Sequence, residues 1–148
     1  MNINWEFKNF SELTLESLYD IMRLRQEVFV LEQNCPYLDA DGKDIHSYHL
    51  LGYLNSELVA YLRIVNPGIS FDELSFGRIL TSKKIRGNGV GKLLMEEGIK
   101  QSKIIFGNIP NRISAQKYLK KFYNIFGFKE TGKEYLEDGI PHIEMIKK

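Results

Sequence analysis

The glycine-rich stretch at residues 86–92 has the residue types that bind a phosphate group. It reads Arg-Gly-Asn-Gly-Val-Gly-Lys and leads into a segment whose apolar residues recur on one face of a helix. A glycine-rich turn at a helix N-terminus directs several backbone N–H groups at one point, and the helix dipole adds positive charge there. Glycine also lets a bulky pyrophosphate approach the backbone, because it has no Cβ. We therefore predict an anion-binding turn at these residues.

Two phosphate-binding motifs do not fit this turn. The P-loop needs four residues between its first Gly and the Gly-Lys pair, and then Ser or Thr; Gly87 and Gly91 enclose only three, and Leu93 follows Lys92. A dinucleotide fingerprint also fails, because positions 92 and 94 lack the small residue that it needs. The turn belongs to another class of phosphate site.

The spacing of Arg86, Gly89 and Gly91 resembles the acyl-CoA pyrophosphate loop of the GCN5-related N-acetyltransferase (GNAT) superfamily. Tyr123, four residues before Gly127-Phe128, resembles the end of that superfamily's late helix. Residues 28–37, 77–79 and 137–143 are similar to the ElaA-like acetyltransferases. The resemblance covers nearly the whole chain.

The resemblance implies an α/β (α+β) GNAT fold, with a mixed, mostly antiparallel central sheet, helices on both faces, and splayed fourth and fifth strands. It implies acetyl-CoA as cosubstrate and direct transfer of the acetyl group to a primary amine in a ternary complex. A backbone amide near Leu80 would stabilise the oxyanion. The implied CoA-binding residues are Ile79, Leu80, Thr81, Arg86, Gly87, Asn88, Gly89, Val90, Gly91 and Lys92.

Three side chains are candidates for catalysis. Tyr123 matches the superfamily's general acid, which protonates the leaving thiolate, although it also borders an apolar helix stripe where aromatic residues serve packing. His142 is a candidate base or water-orienting residue, and the alternative is that it is a packed, hydrogen-bonded histidine with a structural role. Glu32 lies near Asp39, Asp41 and Asp44 in an acidic group that either attracts a cationic amine or belongs to a solvated loop whose aspartates cap turns.

Other functions stay open at this point. Cys35 is an alternative nucleophile, activated by His46 or His49, which would give a ping-pong route through an acyl-cysteine. A CoA-binding regulatory or partner-binding domain without catalysis is a second alternative. The two histidines lack a matching third ligand, so we expect no metal site.

Composition narrows the class of protein. The chain has 148 residues, 43% of them hydrophobic, and a formal net charge of +1, which predicts a single domain over residues 1–148 and no nucleic-acid binding. No apolar run is long enough for a membrane span, and one cysteine allows no internal disulfide, so we expect a cytoplasmic protein. The expected partners are a small-molecule or peptide amine and a second copy in a homodimer.

Periodicity predicts the elements that position these residues. Thr14 caps a helix from residue 15 to about 29, and Arg25 lies in its apolar stripe, where it should pair with a buried carboxylate or brace the loop around Glu32. Residues 34–46 form a long loop. Strands are expected at 48–54, 58–65, 74–81 and 112–115, a helix after residue 90, apolar helical spacing from Ala115 to Phe126, and a final hairpin turning at 138–139.

Overall fold

Seven strands and three helices build the structure, a computed structural model that describes all residues 1–148. The strands are β1 (Asn4–Asn9), β2 (Ser47–Leu54), β3 (Glu57–Val65), β4 (Ser75–Thr81), β5 (Asn111–Gln116), β6 (Lys129–Glu137) and β7 (Ile140–Lys147). The helices are α1 (Leu15–Arg25), α2 (Val90–Phe106) and α3 (Lys120–Asn124). None of the helices has the length and apolar character that crossing a membrane requires.

The strands form two sheets, in the orders β1-β2-β3-β4 and β5-β7-β6, and every ladder is antiparallel. The sheets meet at one parallel bridge between Leu74 and Asn111. There the Arg112 amide donates to the Leu74 carbonyl at 2.9 Å, and the Asn111 side chain accepts from the Phe76 amide at 3.2 Å. Beyond this bridge β4 and β5 do not pair. The splayed strands and the mostly antiparallel α/β fold are therefore confirmed.

Helices cover both faces of the first sheet, as expected. On β3, Tyr61 faces one side with Leu51, and α1 packs there through Ile21. The next residue, Leu62, faces the opposite side, against α2. Gly98 permits this contact, because a Cβ at that position would lie 2.9 Å from Leu62 Cδ1.

Helix α1 begins as its sequence predicts and ends in an unusual way. Thr14 is the N-cap, and it forms a capping box with Ser17. The helix then widens into a π-helical segment, Gln26–Glu32. The Gln33 amide donates to Val28 and the Cys35 amide to Val30, the five-residue spacing of a π-helix. Such segments occur often at functional sites.

Other elements differ in detail from the sequence expectations. Strand β1 was not anticipated. The apolar spacing after Ala115 is not one helix, because Ala115 lies on β5 and a 3-10 turn, Lys117–Leu119, precedes α3. Gly127 ends this region with φ +92, as expected. The final hairpin is confirmed, with positive φ at both Asp138 and Gly139.

Candidate active site

A cleft of about 1110 Å³ opens where β4 and β5 diverge. Its walls come from both strands, α3, the π-helical segment, residues 35–43 and the β6–β7 hairpin. Pockets for one small molecule span roughly 300–1,000 Å³, so this cleft has room for parts of two ligands. Tyr123, His142 and Glu32 all line it. The fold therefore brings together the three candidate catalytic residues, which are far apart in sequence.

The glycine-rich turn has the backbone geometry of an anion site. Gly87 and Gly89 have φ values of +85 and +75, and Gly89 is the N-cap of α2 without any side-chain cap. The amides of Gly87, Asn88 and Gly89 donate to no group of the chain. A Cβ at either glycine would project into open space. Unpaired amides and an uncovered backbone are what a diphosphate group needs, so the turn fits one.

The other residues expected at this turn are placed differently. Asn88 donates from its side chain to the Ile85 carbonyl at 2.9 Å and so fixes the turn. Val90 is buried in the core, and a Cβ at Gly91 would lie 3.7 Å from the Phe122 ring, so these two residues pack α2 against its neighbours. Lys92 is exposed. The amides, more than the side chains, form the anion site.

Arg86 binds protein groups in this structure. Its guanidinium forms a two-point ion pair with Glu32, in which Nη2 lies 2.7 Å from Oε2, and Nη2 also donates to the Thr81 carbonyl at 3.0 Å. The hydrogen bond from Arg86 lowers the pKa of Glu32 below its ordinary value. Glu32 is therefore a weak proton acceptor.

The edge of β4 that faces the cleft can be read from its pairing with β3. The Ser82 amide donates to the Val59 carbonyl at 2.7 Å, and Leu80 lies opposite Tyr61. In an antiparallel ladder this alternation directs the Leu80 amide at β3 and the Thr81 backbone at the cleft. The Leu80 amide therefore faces the ladder, so an oxyanion donor near Leu80 has to come from a neighbouring residue.

A β-bulge in β4 interrupts the alternation of inward- and outward-facing backbone groups just before Leu80. Arg78 and Ile79 together lie opposite Leu62, where the register shifts, and Arg78 has φ +49. Two consecutive residues then direct their backbone away from β3, toward the cleft. The exposed edge for an extended ligand consists of Arg78, Ile79 and Thr81.

Tyr123 has the surroundings of a proton donor. Its ring packs edge-on against Phe122 and Phe128, with ring centroids 5.2 and 6.2 Å away, and the residue is only 6% exposed. Its hydroxyl makes no hydrogen bond within the chain. Burial raises the pKa of Tyr123 well above its ordinary value. The hydroxyl therefore stays protonated at neutral pH.

His142 is buried and hydrogen-bonded at the opposite wall. Its Nδ1 lies 2.7 Å from the Ile140 carbonyl, its Nε2 lies 3.2 Å from Glu137 Oε2, and its ring stacks on Tyr135. The Ser114 hydroxyl is 3.4 Å from the same Glu137 oxygen. Sequence reasoning missed Glu137 as a functional candidate, although it begins the 137–143 motif.

The acidic group on residues 39–44 is mostly paired with arginines, although Asp41 also caps a turn by accepting from the Lys43 amide at 3.0 Å, as one of the two expectations held. Arg25 is completely buried and lies 2.7 Å from Asp39 Oδ2 and 2.6 Å from Asp44 Oδ1, which confirms a buried carboxylate pair. Arg63 and Arg78 pair with the same group. We call these six residues, Arg25, Arg63, Arg78, Asp39, Asp41 and Asp44, the arginine–aspartate network. Each aspartate is neutralised, so the group is not an attractant for a cationic amine.

Cys35 lines the cleft but lacks an activating histidine. Its thiol donates to the Asp138 carbonyl at 3.3 Å. His49 is bonded to the Tyr61 hydroxyl and, at 2.9 Å, to the Asp44 carbonyl, while His46 is exposed. Neither histidine hydrogen-bonds to Cys35, so the activation expected for an acyl-cysteine route is not formed. No group of three or more His, Cys, Asp or Glu residues is arranged to hold a metal ion.

Comparison with known proteins agrees with this geometry. Residues 22–148 match the family model described as an acetyltransferase (GNAT) domain. A UPF0039 protein of Synechocystis is 47% identical over 99% of this chain and 96% of its own length. Protein ElaA of Escherichia coli is 41% identical over 98% of this chain and 96% of its own length.

Solved structures place the chain in the same group. An acyl-CoA N-acyltransferase from Pseudomonas aeruginosa has a TM-score of 0.95 and 38% identity, covering 99% of this chain and all of that one. The crystal structure of Escherichia coli ElaA has a TM-score of 0.93 and 40% identity, with the same coverage. The chain therefore belongs to the GNAT acetyltransferase family, a family of N-acyltransferases.

Proposed function

We propose that this enzyme transfers an acetyl group from acetyl-CoA to a primary amine by direct attack within a ternary complex. The observation that carries the proposal is the single cleft that contains the bulged edge of β4 and the free hydroxyl of Tyr123 and that is bordered by the glycine-rich turn. Holding an amine in line with a thioester carbonyl contributes up to about 7–11 kcal/mol in ideal cases, so no acyl-enzyme is needed.

Binding of the cosubstrate uses backbone groups. The free amides of Gly87, Asn88 and Gly89 hold the diphosphate, at the N-terminus of α2. The cleft-facing edge at Ile79 and Thr81 pairs with the amide groups of the pantetheine arm, as an added strand would. The Ile79 amide, directed outward by the bulge, takes the oxyanion role that the resemblance implied for an amide near Leu80.

Tyr123 protonates the leaving thiolate. The hydroxyl carries its proton at neutral pH, and the packed ring fixes its position. The hydroxyl has no competing acceptor within the chain.

His142 and Glu137 receive the proton of the amine. An alkylamine is protonated at neutral pH, with a pKa of about 10.4, and must lose a proton before attack. Glu32 and Asp41 are paired with arginines, whereas Glu137 contacts His142 and the Ser114 hydroxyl. Glu137 has no arginine or lysine partner, so its carboxylate accepts the amine proton and shares it with His142 Nε2, 3.2 Å away. Glu32 acts on the site through Arg86.

A consumption assay for acetyl-CoA against a broad library of primary amines tests the proposal, with longer acyl-CoAs in parallel. We expect acetyl transfer to at least one amine class, and calorimetric binding of CoA that weakens with added salt. Folded protein without affinity for CoA or acetyl-CoA would overturn the proposal, as would turnover of longer acyl-CoAs only.

A further inference from the structure

One part of the cleft is basic, and the transfer chemistry proposed above does not use it. Lys43, Arg63 and Arg78 line this part, together with Ser75 and one carboxylate, Asp41. Lys43 forms no ion pair, and Arg63 is buried with an Nε that has no acceptor. The three arginines and three aspartates of the arginine–aspartate network cancel, so Lys43 gives this region a net charge of +1. It lies beside the loop at residues 35–43.

One edge of the Arg78 guanidinium is hydrogen-bonded to Asp39, and the other edge is largely without partners. Its Nε donates to Asp39 Oδ1 at 2.8 Å, and its Nη2 donates to the Asp39 carbonyl at 3.2 Å. On the opposite edge, Nη1 makes no hydrogen bond, and Nη2 has only a 3.4 Å contact with Asp41. The Tyr37 ring lies 5.7 Å from the guanidinium and fixes its plane. The Nη1–Nη2 edge is thus a preorganised fork, the geometry that binds a carboxylate at two points.

The backbone at Arg78 is strained in a way that favours a functional role. It has φ +49, and it is the only non-glycine residue with a positive φ inside a strand; the others are in turns. Such conformations are unfavourable for a non-glycine residue and persist where the surroundings enforce them. Bulges beside active sites commonly re-aim a side chain, and this bulge directs Arg78 into the cleft wall.

Asp41 does not block this fork. Arg63 already binds both Asp41 oxygens at 2.8 Å, and the Lys43 amide donates to Oδ1 at 3.0 Å. A ligand that replaces the long Arg78 contact therefore leaves Asp41 fully paired.

We propose that the Nη1–Nη2 edge of Arg78, assisted by Lys43, binds a carboxylate of the acceptor, so that the acceptor is an amino acid or a similar amine that carries a carboxylate. This inference rests on the proposed N-acyltransferase function and names its substrate class. Arg78 is then a specificity-determining residue.

The test compares matched acceptors, each amino acid with its own carboxamide, in series that vary the spacing between amine and carboxylate. We expect the wild type to prefer the acid form by at least about tenfold in kcat/KM, the value of one charge-assisted hydrogen bond. Arg78→Gln should remove this preference through the KM of the acid acceptors, so that each acid and its carboxamide then react with similar kcat/KM. Lys84→Gln is the control, since Lys84 pairs with Glu57 outside the cleft.

The outcomes separate this inference from the proposed function. Equal turnover of acids and carboxamides overturns the inference and leaves N-acetyl transfer intact. If no amine is acylated, calorimetry of the same pairs on CoA-saturated protein decides: binding of the acid form alone supports the carboxylate site, and equal or absent binding overturns it. Should Arg78→Gln unfold, Arg78→Lys and Lys43→Gln replace it, and an unchanged acid preference in both would contradict the proposal.

Discussion

Arg86 and Glu32 form a two-point ion pair that ties the first residue of the glycine-rich turn to the last residue of the π-helical segment. The same guanidinium caps the Thr81 carbonyl at the cleft edge of β4. The pair therefore neutralises the arginine next to the glycine-rich turn and covers one acceptor of the cleft-facing edge of β4. In the proposed mode of binding, the cosubstrate competes with Glu32 for Arg86.

Glu32→Gln removes this competition. We expect CoA to bind about three- to tenfold more tightly at low ionic strength, because one negative charge beside a polyanion is gone, and we expect the gain to shrink with salt. Calorimetry at two salt concentrations measures it. Glu27→Gln is the matched control on the same segment, since Glu27 pairs with Arg23 at the surface. Weaker binding would show instead that Glu32 holds Arg86 in place for the phosphate.

Tyr123→Phe should lower kcat by about 10²- to 10⁴-fold, because the thiolate then leaves without a proton donor. Stability should be nearly unchanged, since the hydroxyl has no partner within the chain. Steady-state kinetics and thermal unfolding measure the two effects. Tyr19→Phe, at an exposed residue outside the cleft, is the control. A variant with full activity would remove Tyr123 from the mechanism.

Gly89→Ala should impair CoA binding more than folding. The residue has φ +75, so alanine costs roughly 1–2 kcal/mol, and its Cβ would lie in the open space beside the free amides. We expect an increase of about tenfold or more in the Kd for CoA. Gly107→Ala gives a comparison at the other end of α2, where φ is +74. Similar CoA affinity in the two variants would contradict an anion site at residues 87–89.

Cys35→Ala distinguishes direct transfer from a route through an acyl-cysteine. We expect kcat to stay within about threefold of the wild type, because no histidine activates the thiol. The assay is acetyl transfer to the best amine, with CoA binding as the check on folding. Abolished turnover in a folded variant that still binds CoA would establish the cysteine route.

The arginine–aspartate network should make stability depend on acid pH. Burial opposes ionisation of Asp44, but hydrogen bonds and charge from Arg25 and Arg63 outweigh it and lower the pKa of Asp44 below its ordinary value. The unfolded chain then binds a proton that the folded chain does not. This contribution is complete above the unfolded pKa of about 3.9 and is lost as the pH falls toward the folded value.

Urea unfolding between pH 7 and pH 3 measures that loss. Arg25→Met should destabilise the protein at pH 7 by about 3–5 kcal/mol, because it leaves Asp39 and Asp44 buried without their main partner. The penalty should decrease at low pH, where the carboxylates protonate. Arg23→Met, at an exposed residue two positions before Arg25 in α1, is the control. A pH-independent penalty would assign the role of Arg25 to packing alone.

Local signals in the sequence were sufficient to predict most helices, strands and turns. Thr14 capped its helix, Gly127 ended its own, and the 138–139 turn formed the expected hairpin. Strand β1 carries the alternation of an edge strand, since Trp5 and Phe7 pack on the core, but it is short and lies at the chain end. A π-helical segment has no sequence periodicity of its own that separates it from an α-helix.

The site was harder to predict where it depends on contacts between distant residues. Arg25 lies on the apolar face of its helix, and the cost of burying a charge predicted that it would have an anionic partner. The sequence did not identify the partners, because Asp39 and Asp44 lie 14 and 19 residues away. The Arg86–Glu32 pair spans 54 residues and the Leu80 orientation depends on strand register. Register and long-range pairing exist only once the fold brings the segments together.

The bridge between Leu74 and Asn111 is the junction of the two sheets. Arg112 reinforces it with ion pairs to Glu73 at 2.9 Å and Glu144 at 3.0 Å, one on each side of the junction. Because the two sheets are joined there and do not pair further along β4 and β5, no ladder hydrogen bond opposes a change in the separation of these two strands beyond the junction.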